Sequence, residues 1–470
     1  MIRDWKLNID IKTSDATPVY LQIAEAIIEA IKTRQLTQGL ALPSSRTLAA
    51  QLKVNRNTVI KALELLVIEE WLTAEERKGY FVSNELPKEY ATCNKIMEAT
   101  VSQPISSKRL FTFDDGLPDT KIAPIEELAK VYRKILGRKA RWKTLGVADS
   151  KGNNDLRKSI AQMLNLNRGL PFSSEHIFIT RGSQMAAYLM AHCLLKKGDL
   201  VAVENPGYKP IWESMKTAGA EILPVPVDEN GMDVDVLEQL LKSHSIKAIY
   251  VTPHHQFPTA VSLSLPRRLK LIKLSNQYDF TIIEDDYDHE FHFGVRPILP
   301  IGNLQAIKNY VYLGTFSKIV APALRIGFLA TSIDLIHKVT EMRKIIDGQG
   351  DVIMEEAVYQ LIREGDIKRH IKRTIVLYKA KRDFFEKLLM KYLGEKVSFI
   401  KPEGGLAFWV VPKVSIDIFE IAKKLEAQGI GIITPDKFSF SAPIIGFRIG
   451  YASLSKQQLE DGIVALAKLL

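Results

Sequence analysis

Cysteine is scarce in this sequence of 470 residues, and long apolar runs are missing. Cys93 and Cys193 share no spacing motif, which argues against a disulfide scaffold or a cysteine metal site and suits a reducing compartment. The first ten residues, MIRDWKLNID, are charged where a leader would be apolar, and no run of about 18 apolar residues predicts a membrane span. We therefore expect a cytoplasmic protein without a membrane partner.

A strong charge excess is also missing from the N-terminal part. The formal net charge is +10, yet residues 1–83 hold 11 Lys/Arg against 10 Asp/Glu, whereas residues 363–401 hold 12 against 5. A polyanion bound by the N-terminal part must therefore meet a local patch of cations. The length, with 46% hydrophobic and 25% charged residues, predicts two or three domains with substantial cores.

Three zones follow one another along the chain. Residues 1–83 have a mostly helical pattern, and residues 84–108 lack sustained periodicity and are predicted to be a linker. From 109 to 470, short runs such as HIFIT, LVAVE, AIYVT, FTIIEDD, NYVYLG and IGFLA alternate with helix-length segments. This alternation predicts an α/β fold with a mainly parallel sheet, and a pattern change at about 360 predicts a smaller C-terminal α+β subdomain.

The segment LPSSRTLAAQLKVNRNTVIKAL predicts two helices joined by a tight turn. Ser44 or Ser45 can cap the first helix and Asn55 the second, with the turn at residues 53–54. Residues 71–84 then predict two short strands with Lys78 at the tip. This layout is that of a winged helix-turn-helix, although an ordinary three-helix module with solvated charges would show the same helical pattern.

Residues 17–83 resemble the GntR family of bacterial regulators, through PVYLQIAEAI, LPSSRTLAAQL, VNRNTVIKAL and GYFV. The resemblance implies binding to double-stranded operator DNA, with a recognition helix in the major groove. The candidate DNA-binding residues are Ser44, Arg46, Arg56, Asn57, Thr58, Lys61 and Lys78. Lys53, Asn55 and Trp71 depart from the family's usual glycine, serine and glycine, which we expect to alter local geometry or operator sequence and to leave the fold intact.

The stretch GTFSKIVAPALRIGF places Lys318 among apolar residues. A desolvated lysine can form a Schiff base with an aldehyde cofactor such as pyridoxal 5'-phosphate. That cofactor also needs a phosphate cup, a carboxylate for its pyridine nitrogen, a hydrogen bond to its phenolic oxygen and a ring to stack on.

The sequence supplies candidates for each requirement. A strand runs into a helix at residues 182–184, where backbone N–H groups can hold a phosphate. The phosphate candidates are Gly182, Ser183, Gln184, Thr315, Ser317 and Arg325. Tyr208 follows a strand end and could stack on the pyridine, and the acids in TIIEDDYDHEF could pair with its nitrogen. A metal site that includes His289 and His292 is the competing interpretation of these acids.

The order of TRGSQ, ENPGY, TPHHQFPT, IEDDYD, GTFSK and PALRIGF resembles a fold-type I aminotransferase over residues from about 109 to 470. The resemblance implies that Lys318 is the Schiff-base lysine and that Asp285 pairs with the pyridine nitrogen. It also implies that Tyr287 bonds the phenolic oxygen, that Tyr208 stacks on the ring and that Arg325 binds the phosphate. It also implies that Arg448 binds the carboxylate of an amino-acid ligand, although a strand arginine could instead form a surface ion pair. Spacing leaves open whether Asp285 or Asp286 faces the pyridine nitrogen, and whether His255 lines the pocket.

A GntR-type winged helix followed by such a domain resembles the MocR-type regulators. The resemblance implies a homodimer, often head to tail, that senses an amino compound or a B6 vitamer at pyridoxal phosphate. Pro210 stands where members that sense a γ-amino acid carry an arginine, so that effector is not expected. Two alternatives remain: an active aminotransferase with an accessory DNA-binding domain, and a repressor whose second domain only dimerises.

Overall fold

The computed structural model describes residues 9, 11, 17–76, 78–87, 110–137, 145–294, 299–440 and 444–470. Contacts divide the chain into two compact units, Met1–Ile105 and Ser106–Leu470. From residue 88 onward the predicted linker lies outside the described residues, and so does Cys93.

The first unit packs three helices against a two-stranded antiparallel sheet. Its elements are α1 (Val19–Lys32), α2 (Ser45–Leu52), α3 (Arg56–Ile68), β1 (Leu72–Glu75) and β2 (Gly79–Val82). Ile27, Leu48 and Leu63, one from each helix, have no exposed surface and meet in one core. The winged helix-turn-helix predicted from the sequence therefore has its elements at the predicted places.

Side-chain caps explain where α2 and α3 begin. Ser44 Oγ accepts from the N–H of Thr47 at 3.2 Å, and Asn55 Oδ1 accepts from the N–H of Asn57 at 2.8 Å. Lys53 takes the left-handed conformation, φ +53°, that ends α2. Trp71 is buried in the core of this unit. The fold therefore accommodates all three departures from the usual family residues, at positions 53, 55 and 71.

The second unit is built on a mixed eight-stranded sheet. Its strands are β4 (Ile177–Thr180), β5 (Leu200–Asn205), β6 (Glu221–Asp228), β7 (Gly231–Met232), β8 (Ile246–Val251), β9 (Thr281–Asp285), β10 (Tyr310–Thr315) and β11 (Gly327–Ala330). The helices that belong to it are α4 (Ile125–Gly137), α5 (Asn154–Arg168), α6 (Ser183–Leu194), α7 (Lys209–Thr217), α8 (Val234–Ser243), α9 (Leu265–Tyr278), α10 (Ile301–Leu304), α11 (Ile333–Ile346) and α12 (Val352–Arg363).

The strand order is β4-β11-β10-β9-β8-β5-β6-β7. Strands β10, β9, β8, β5 and β6 pair in parallel, whereas β11 is antiparallel to both neighbours. The carboxyl ends of β5, β8, β9 and β10 therefore meet at one edge, where ligands bind in sheets of this kind.

A smaller α+β part of the second unit follows α12. It contains α13 (Asp366–Leu393), β12 (Val397–Phe399), β13 (Ala407–Pro412), α14 (Ile418–Ala427), β14 (Ile430–Gly431), β15 (Phe447–Gly450) and α15 (Lys456–Ala467). Strands β12, β13 and β15 form an antiparallel sheet, whose buried side chains share a core with Phe385 and Leu389 of α13. Among the described residues, no helix has both the length and the apolar character to cross a bilayer.

Two features of this unit were not predicted. Strand β6 contains Pro224 and Pro226, and prolines in a sequence argue against the prediction of a strand. The two-residue strand β3 (Phe111–Thr112) pairs with β14, so Phe113 is buried in the core of the C-terminal subdomain. The segment just after the linker therefore pairs with residues 430–431, about 320 positions later in the sequence.

Candidate functional site

The predicted cofactor residues meet in one pocket at the carboxyl edge of the main sheet. Its lining includes Ser183, Gln184, Tyr208, Asp285, Tyr287, Thr315, Ser317, Lys318 and Arg325. Gly182 and Arg448 are not among the lining residues, but each contacts one that is. Strand ends and helix starts that lie far apart in the sequence are thus brought together at one place.

One end of the pocket is rich in hydrogen-bond donors. Ser183 begins α6, and Gly182 before it has φ +79°. A Cβ at Gly182 would lie 2.8 Å from Arg325 Nη2, so a side chain there would displace the guanidinium. Ser317 Oγ is buried and has no hydrogen-bond partner among the described residues. The helix start, the free hydroxyl and the arginine together suit a phosphate.

Lys318 lies in the turn that follows β10, half-buried at the pocket wall. Its Nζ donates to the carbonyl of Gly116 at 2.5 Å and lies 5.7 Å from the ring centroid of Tyr287. Thr315 Oγ1 accepts from the N–H of Ser317 at 3.1 Å, which helps to fix this turn. The amine is therefore held inside the pocket and pairs with no carboxylate among the described residues.

Asp285 is the last residue of β9 and is the acid that the structure places in the pocket wall. Its Oδ2 accepts from the hydroxyl of Tyr250 at 2.8 Å, while its Oδ1 is buried and has no hydrogen-bond partner in the described part of the chain. Burial raises the pKa of the Asp285 carboxyl to about 7, against the effect of the Tyr250 hydrogen bond. An unpaired buried carboxyl oxygen is costly unless a ligand supplies a donor.

Asp286 points away from the pocket into a polar network. Its Oδ1 lies 3.2 Å from His254 Nδ1, and its Oδ2 lies 2.9 Å from His289 Nδ1 and accepts from Tyr312 at 2.6 Å. The guanidinium of Arg168 lies 4.0 Å away. Burial alone would raise the pKa of Asp286, but the two histidines outweigh it and hold that pKa well below its usual value. The structure thus shows that Asp285 and not Asp286 lies in the pocket wall, a choice that spacing in the sequence left open.

His254, Asp286 and His289 lie close enough to hold a metal ion, whereas His292 is outside this group. Their donor atoms are engaged with one another, and His254 Nε2 lies 3.3 Å from a guanidinium nitrogen of Arg268. Burial lowers the pKa of His254 to about 4, so this imidazole is neutral at pH 7. Two arginines beside the cluster make it an ion-paired network that already balances the Asp286 charge.

Two tyrosines form the sides of the pocket. Tyr208 directly precedes α7, and its ring meets Phe257 edge to face at 5.0 Å. Burial raises the pKa of the Tyr208 hydroxyl to about 12, which keeps that group a neutral donor. Tyr287 donates its hydroxyl hydrogen to the carbonyl of His255 at 2.6 Å. His255 itself pairs with Asp288 at 2.9 Å and does not line the pocket, so it is a satisfied loop histidine.

Arg448 lies on β15, behind the wall that Tyr287 forms. It is 2% exposed, and among the described residues no carboxylate forms an ion pair with it, so the surface ion-pair interpretation is wrong. Its Nε donates to the carbonyl of Asp115 at 2.8 Å, and its Nη1 donates to the carbonyl of Pro258 at 2.7 Å. Nη2 donates to the Tyr287 hydroxyl at 3.3 Å, which connects the guanidinium to the pocket.

Sequence reasoning missed several pocket residues, namely Asp115, Leu117, Tyr250, Thr252, Phe257 and Pro322. Tyr250 and Thr252 lie at the end of β8, and the strand-end rule that selected Tyr208 could have found them. Asp115 and Leu117 come from an irregular segment far from Lys318 in sequence, for which no local signal exists.

On the first unit, the start of α3 presents polar groups to solvent. Arg56 and Asn57 are exposed, and Arg56 Nε donates to Ser45 Oγ at 3.3 Å. Thr58 is half-buried, and Lys61 places its Nζ 4.1 Å from the ring centroid of Tyr20. The exposed end of this helix thus carries donors suited to base edges and phosphates.

The other DNA candidates lie on α2 and at the tip of the β1–β2 hairpin. Ser44 and Arg46 are exposed, but the Ser44 hydroxyl is already used as a helix cap. Lys78 pairs with Glu75 at 2.9 Å, and both side chains are largely in solvent, so the pair is weak.

The pocket fits pyridoxal phosphate on its own geometry. Among the described residues, two side chains of the pocket lining have a buried oxygen without a hydrogen-bond partner, Asp285 Oδ1 and Ser317 Oγ, and they lie at the two places where the cofactor needs partners. The same pocket is lined by the donors, the carboxyl, an amine and aromatic rings, which are the groups that the cofactor requires.

Comparison with known proteins identifies both parts of the chain. The family model described as aminotransferase class I and II matches residues 114–466, and the model for bacterial regulatory proteins of the gntR family matches residues 19–82. The probable rhizopine catabolism regulatory protein MocR of Rhizobium meliloti is 27% identical and aligns over 96% of this chain and 93% of its own length. Aromatic-amino-acid aminotransferase 1 of Thermococcus litoralis is 28% identical, over 78% of this chain and 89% of its own.

A solved structure shares the fold of the second unit. LysN, an α-aminoadipate aminotransferase of Thermus thermophilus, was solved with N-(5'-phosphopyridoxyl)-L-leucine. It matches with a TM-score of 0.71 at 25% identity, over 76% of this chain and 91% of its own. The family and the ligand of this neighbour point to pyridoxal phosphate as the cofactor. The chain therefore belongs to the aminotransferase class I and II family and joins that domain to a GntR-family helix-turn-helix domain.

Proposed function

We propose that this protein is a pyridoxal phosphate-dependent transcriptional regulator that senses an amino compound, or a B6 vitamer, through Lys318. The observation that carries the proposal is that one chain joins a helix-turn-helix with an exposed second helix to a pocket in which the predicted cofactor residues meet. The relative named MocR, a regulatory protein, aligns over nearly the whole length of both chains, which supports the same domain order and a regulatory function.

The first unit would bind operator DNA. Arg56 and Asn57 at the start of α3 would meet base edges, and Arg46 on α2 would meet phosphate. Thr58 and Lys61 would add contacts along the helix, and Lys78 would reach DNA from the hairpin tip. Because residues 1–83 carry a charge surplus of only one, a single module would bind modestly. A homodimer, head to tail as in MocR-type regulators, would read two half-sites and add their binding energies.

The second unit would hold the cofactor through the residues of the pocket. Ser183, Gln184, Thr315, Ser317 and Arg325, with the backbone at Gly182, would bind the phosphate. Asp285 would pair with the pyridine nitrogen, and Tyr208 would stack on the ring. The Tyr287 hydroxyl would leave the carbonyl of His255 and donate to the phenolic oxygen instead.

When bound, pyridoxal phosphate supplies an aldehyde carbon that reacts with amines. Lys318 is the chain's own amine at the pocket wall, and it keeps a hydrogen-bond acceptor, the carbonyl of Gly116, when it is otherwise unbonded. Arg448 would bind the carboxylate of an amino-acid effector. A ligand that favours one arrangement of the protein over another would change how tightly the protein binds DNA.

Substitution of Lys318 tests this proposal. In the Lys318→Ala variant, we expect operator binding to persist while its response to amines and B6 vitamers is lost, together with the visible absorbance of the lysine-bound cofactor. Lys242→Ala changes an exposed lysine of α8 and should leave both properties unchanged. An unchanged response in Lys318→Ala would overturn the proposal and favour a second unit that only dimerises.

An active aminotransferase is the second candidate, because the predicted cofactor residues share one pocket and Aromatic-amino-acid aminotransferase 1 aligns with 78% of this chain. Multiple turnovers of an amino donor with a keto-acid acceptor would establish it in place of the regulator. A screen of amino acids, amines and vitamers, read both by cofactor absorbance and by operator binding, addresses both candidates.

A further inference from the structure

The excess positive charge of this chain is concentrated on one helix of the second unit. Residues 363–401 hold 12 Lys/Arg against 5 Asp/Glu, and most of these cations belong to α13. Between Asp366 and Asp383, this helix carries seven Lys/Arg and no acid. The cofactor pocket is lined by none of them.

Three of these cations form a row on the solvent side of α13. Lys368, Lys372 and Lys379 are exposed, and with 3.6 residues per turn they lie within about 40° of one another around the helix. No hydrogen bond or ion pair engages their amino groups in the described part of the chain. We call these three lysines the α13 row.

The fold holds the α13 row toward solvent. On the other side of the helix, Tyr378 and Phe385 are buried in the core that α13 shares with the small antiparallel sheet. Arg369 and Arg373 flank the row and are exposed as well. Of these two arginines, Arg369 alone has an acidic partner, Asp366, among the residues that the structure describes. The surface around the row is therefore strongly positive.

The row is unfavourable for the helix that carries it. Lys368 and Lys372 are four residues apart, a spacing at which like charges repel each other across one helical turn. Lys368 also lies in the first turn of α13, where the helix dipole favours acids over cations. A bound polyanion would offset both effects, so the arrangement suits a partner with closely spaced negative charges.

The partner that fits this row is a nucleic-acid backbone. The row extends over about 16 Å of helix axis at about 1.5 Å per residue, and phosphates recur about every 3.4 Å along a DNA strand. A membrane surface would also attract lysines, but a helix that binds one exposes apolar side chains beside them. From residue 367 to residue 382, Val376 is the one large apolar side chain that is largely exposed.

We propose that the α13 row is a second DNA-binding surface, which contacts the phosphate backbone and reads no base sequence. The inference rests on the proposed function, in which the first unit selects the operator. Residues 1–83 carry a charge surplus of only one, so the second unit supplies electrostatic affinity that the first unit lacks. Base contacts from the first unit would set the sequence preference.

Removal of the three charges tests the row. The full, cofactor-loaded chain with Lys368→Gln, Lys372→Gln and Lys379→Gln combined is titrated at several salt concentrations with two duplexes of equal length. One duplex holds the operator within unrelated sequence, and the other is scrambled. We expect the affinity for both to fall by the same factor, about tenfold at low salt, because phosphate contacts are common to all sequences. The slope of log affinity against log salt should become shallower by about 2–3, since each phosphate contact contributes about 0.9.

Two control variants show whether the effect belongs to this face. Lys242→Gln, Lys273→Gln and Lys423→Gln combined remove the same charge from exposed lysines of α8, α9 and α14, and should leave the salt slope unchanged. Arg56→Ala should lower the affinity for the operator and spare the scrambled duplex. Glutamine is a good helix former, so the α13 variant should keep the cofactor absorbance and melt at or above the temperature of wild type.

The outcomes separate the inference from the function on which it rests. An unchanged salt slope in the α13 variant, or an equal change in the matched lysine control, overturns the inference and leaves operator recognition in place. Loss of binding to phosphatidylserine vesicles without any change on DNA overturns it too, and assigns the row to a membrane surface. If wild type binds the operator no better than the scrambled duplex, the proposed regulator fails, whereas a shallower slope on the scrambled duplex would still support the row.

Discussion

Asp285 and Asp286 are neighbours in sequence, both almost completely buried, and yet they have opposite chemistry. Asp285 has one orphan oxygen and a pKa raised by burial to about 7, whereas Asp286 has histidine, tyrosine and arginine partners and a depressed pKa. Asp285 has an oxygen that can still accept a hydrogen bond from a ligand, whereas the oxygens of Asp286 already have partners in the protein. A cationic pyridinium beside Asp285 would replace the missing partner.

Asp285→Asn should give a stability difference from wild type that changes with pH. In the folded, cofactor-free protein Asp285 keeps its proton up to about pH 7, whereas the unfolded chain loses it near its ordinary value of 3.8. Between those values the folded state binds more protons, so this group's contribution to stability falls as pH rises. An amide cannot ionise and lacks this loss. The melting temperature of Asp285→Asn relative to wild type should therefore rise from pH 5 to pH 8, while its cofactor affinity falls.

Asp286→Asn is the matched comparison. Asp286 is ionised across this pH range, and its loss would leave His289 and Arg168 short of a partner, so this variant should melt lower at both pH values. A pH-independent difference for Asp285→Asn would show that its carboxyl is already ionised in the folded protein.

The sequence could predict the cluster of acids at a strand end, but it could not choose between them. Successive side chains of a strand point to opposite faces, so one of two adjacent acids must turn away from the ligand, and the face is decided by distant packing. Asp115 could not be predicted at all, because contacts with residues far away in sequence, among them Lys318 and Arg448, bring its segment to the pocket.

At the scale of elements, the caps of α2 and α3 connect folding to DNA binding. Ser44 was predicted as a DNA contact, and its hydroxyl caps α2 in the structure. A hydroxyl that accepts from a backbone N–H can still donate to a phosphate, so the two roles are compatible. They differ in what they require of the side chain, and a substitution can separate them.

Ser44→Asp should fold normally and bind DNA poorly. Aspartate caps helices as well as serine does, and a negative charge at a helix start is favourable, so the melting temperature should stay near that of wild type. The same charge would repel a phosphate, and we expect operator affinity to fall about tenfold, which corresponds to about 1.4 kcal/mol. Ser44→Ala should instead lose about 1 kcal/mol of stability with the cap.

Arg56→Ala provides the scale for this measurement, since loss of a base-reading arginine costs about 1–3 kcal/mol of binding. If Ser44→Asp binds the operator as tightly as wild type while Arg56→Ala does not, Ser44 is a cap alone and the phosphate contact is refuted.

Elements with regular patterns could be predicted from sequence, and irregular ones could not. The six runs named from periodicity are strands of the main sheet, because their apolar residues fill its two-sided core. Strand β3 is two residues long and pairs with β14 from the far end of the chain, so nothing in residues 111–112 reveals it. Pro224 and Pro226 similarly conceal β6, which lies next to the edge of the sheet.

At the scale of the whole molecule, the two units carry different halves of the proposed function. The first has almost no net charge and an exposed recognition helix, and the second holds the cofactor pocket. A regulator requires a free-energy coupling between the two sites, whereas an enzyme with an accessory DNA-binding domain requires none. The coupling is therefore the property that separates these functions.

The coupling predicts a reciprocity that can be measured. If the amino compound changes operator affinity by some factor, operator DNA must change the affinity for the amino compound by the same factor. Titration of the cofactor absorbance with and without operator gives one factor, and operator titration with and without the amino compound gives the other. A scrambled duplex of equal length, and Arg56→Ala with the true operator, should both reduce the factor toward one. The equality holds for binding at equilibrium, so two unequal factors would mean that the ligand is consumed. That result would favour an enzyme in which Lys318 takes part in turnover over a regulator in which it binds the effector.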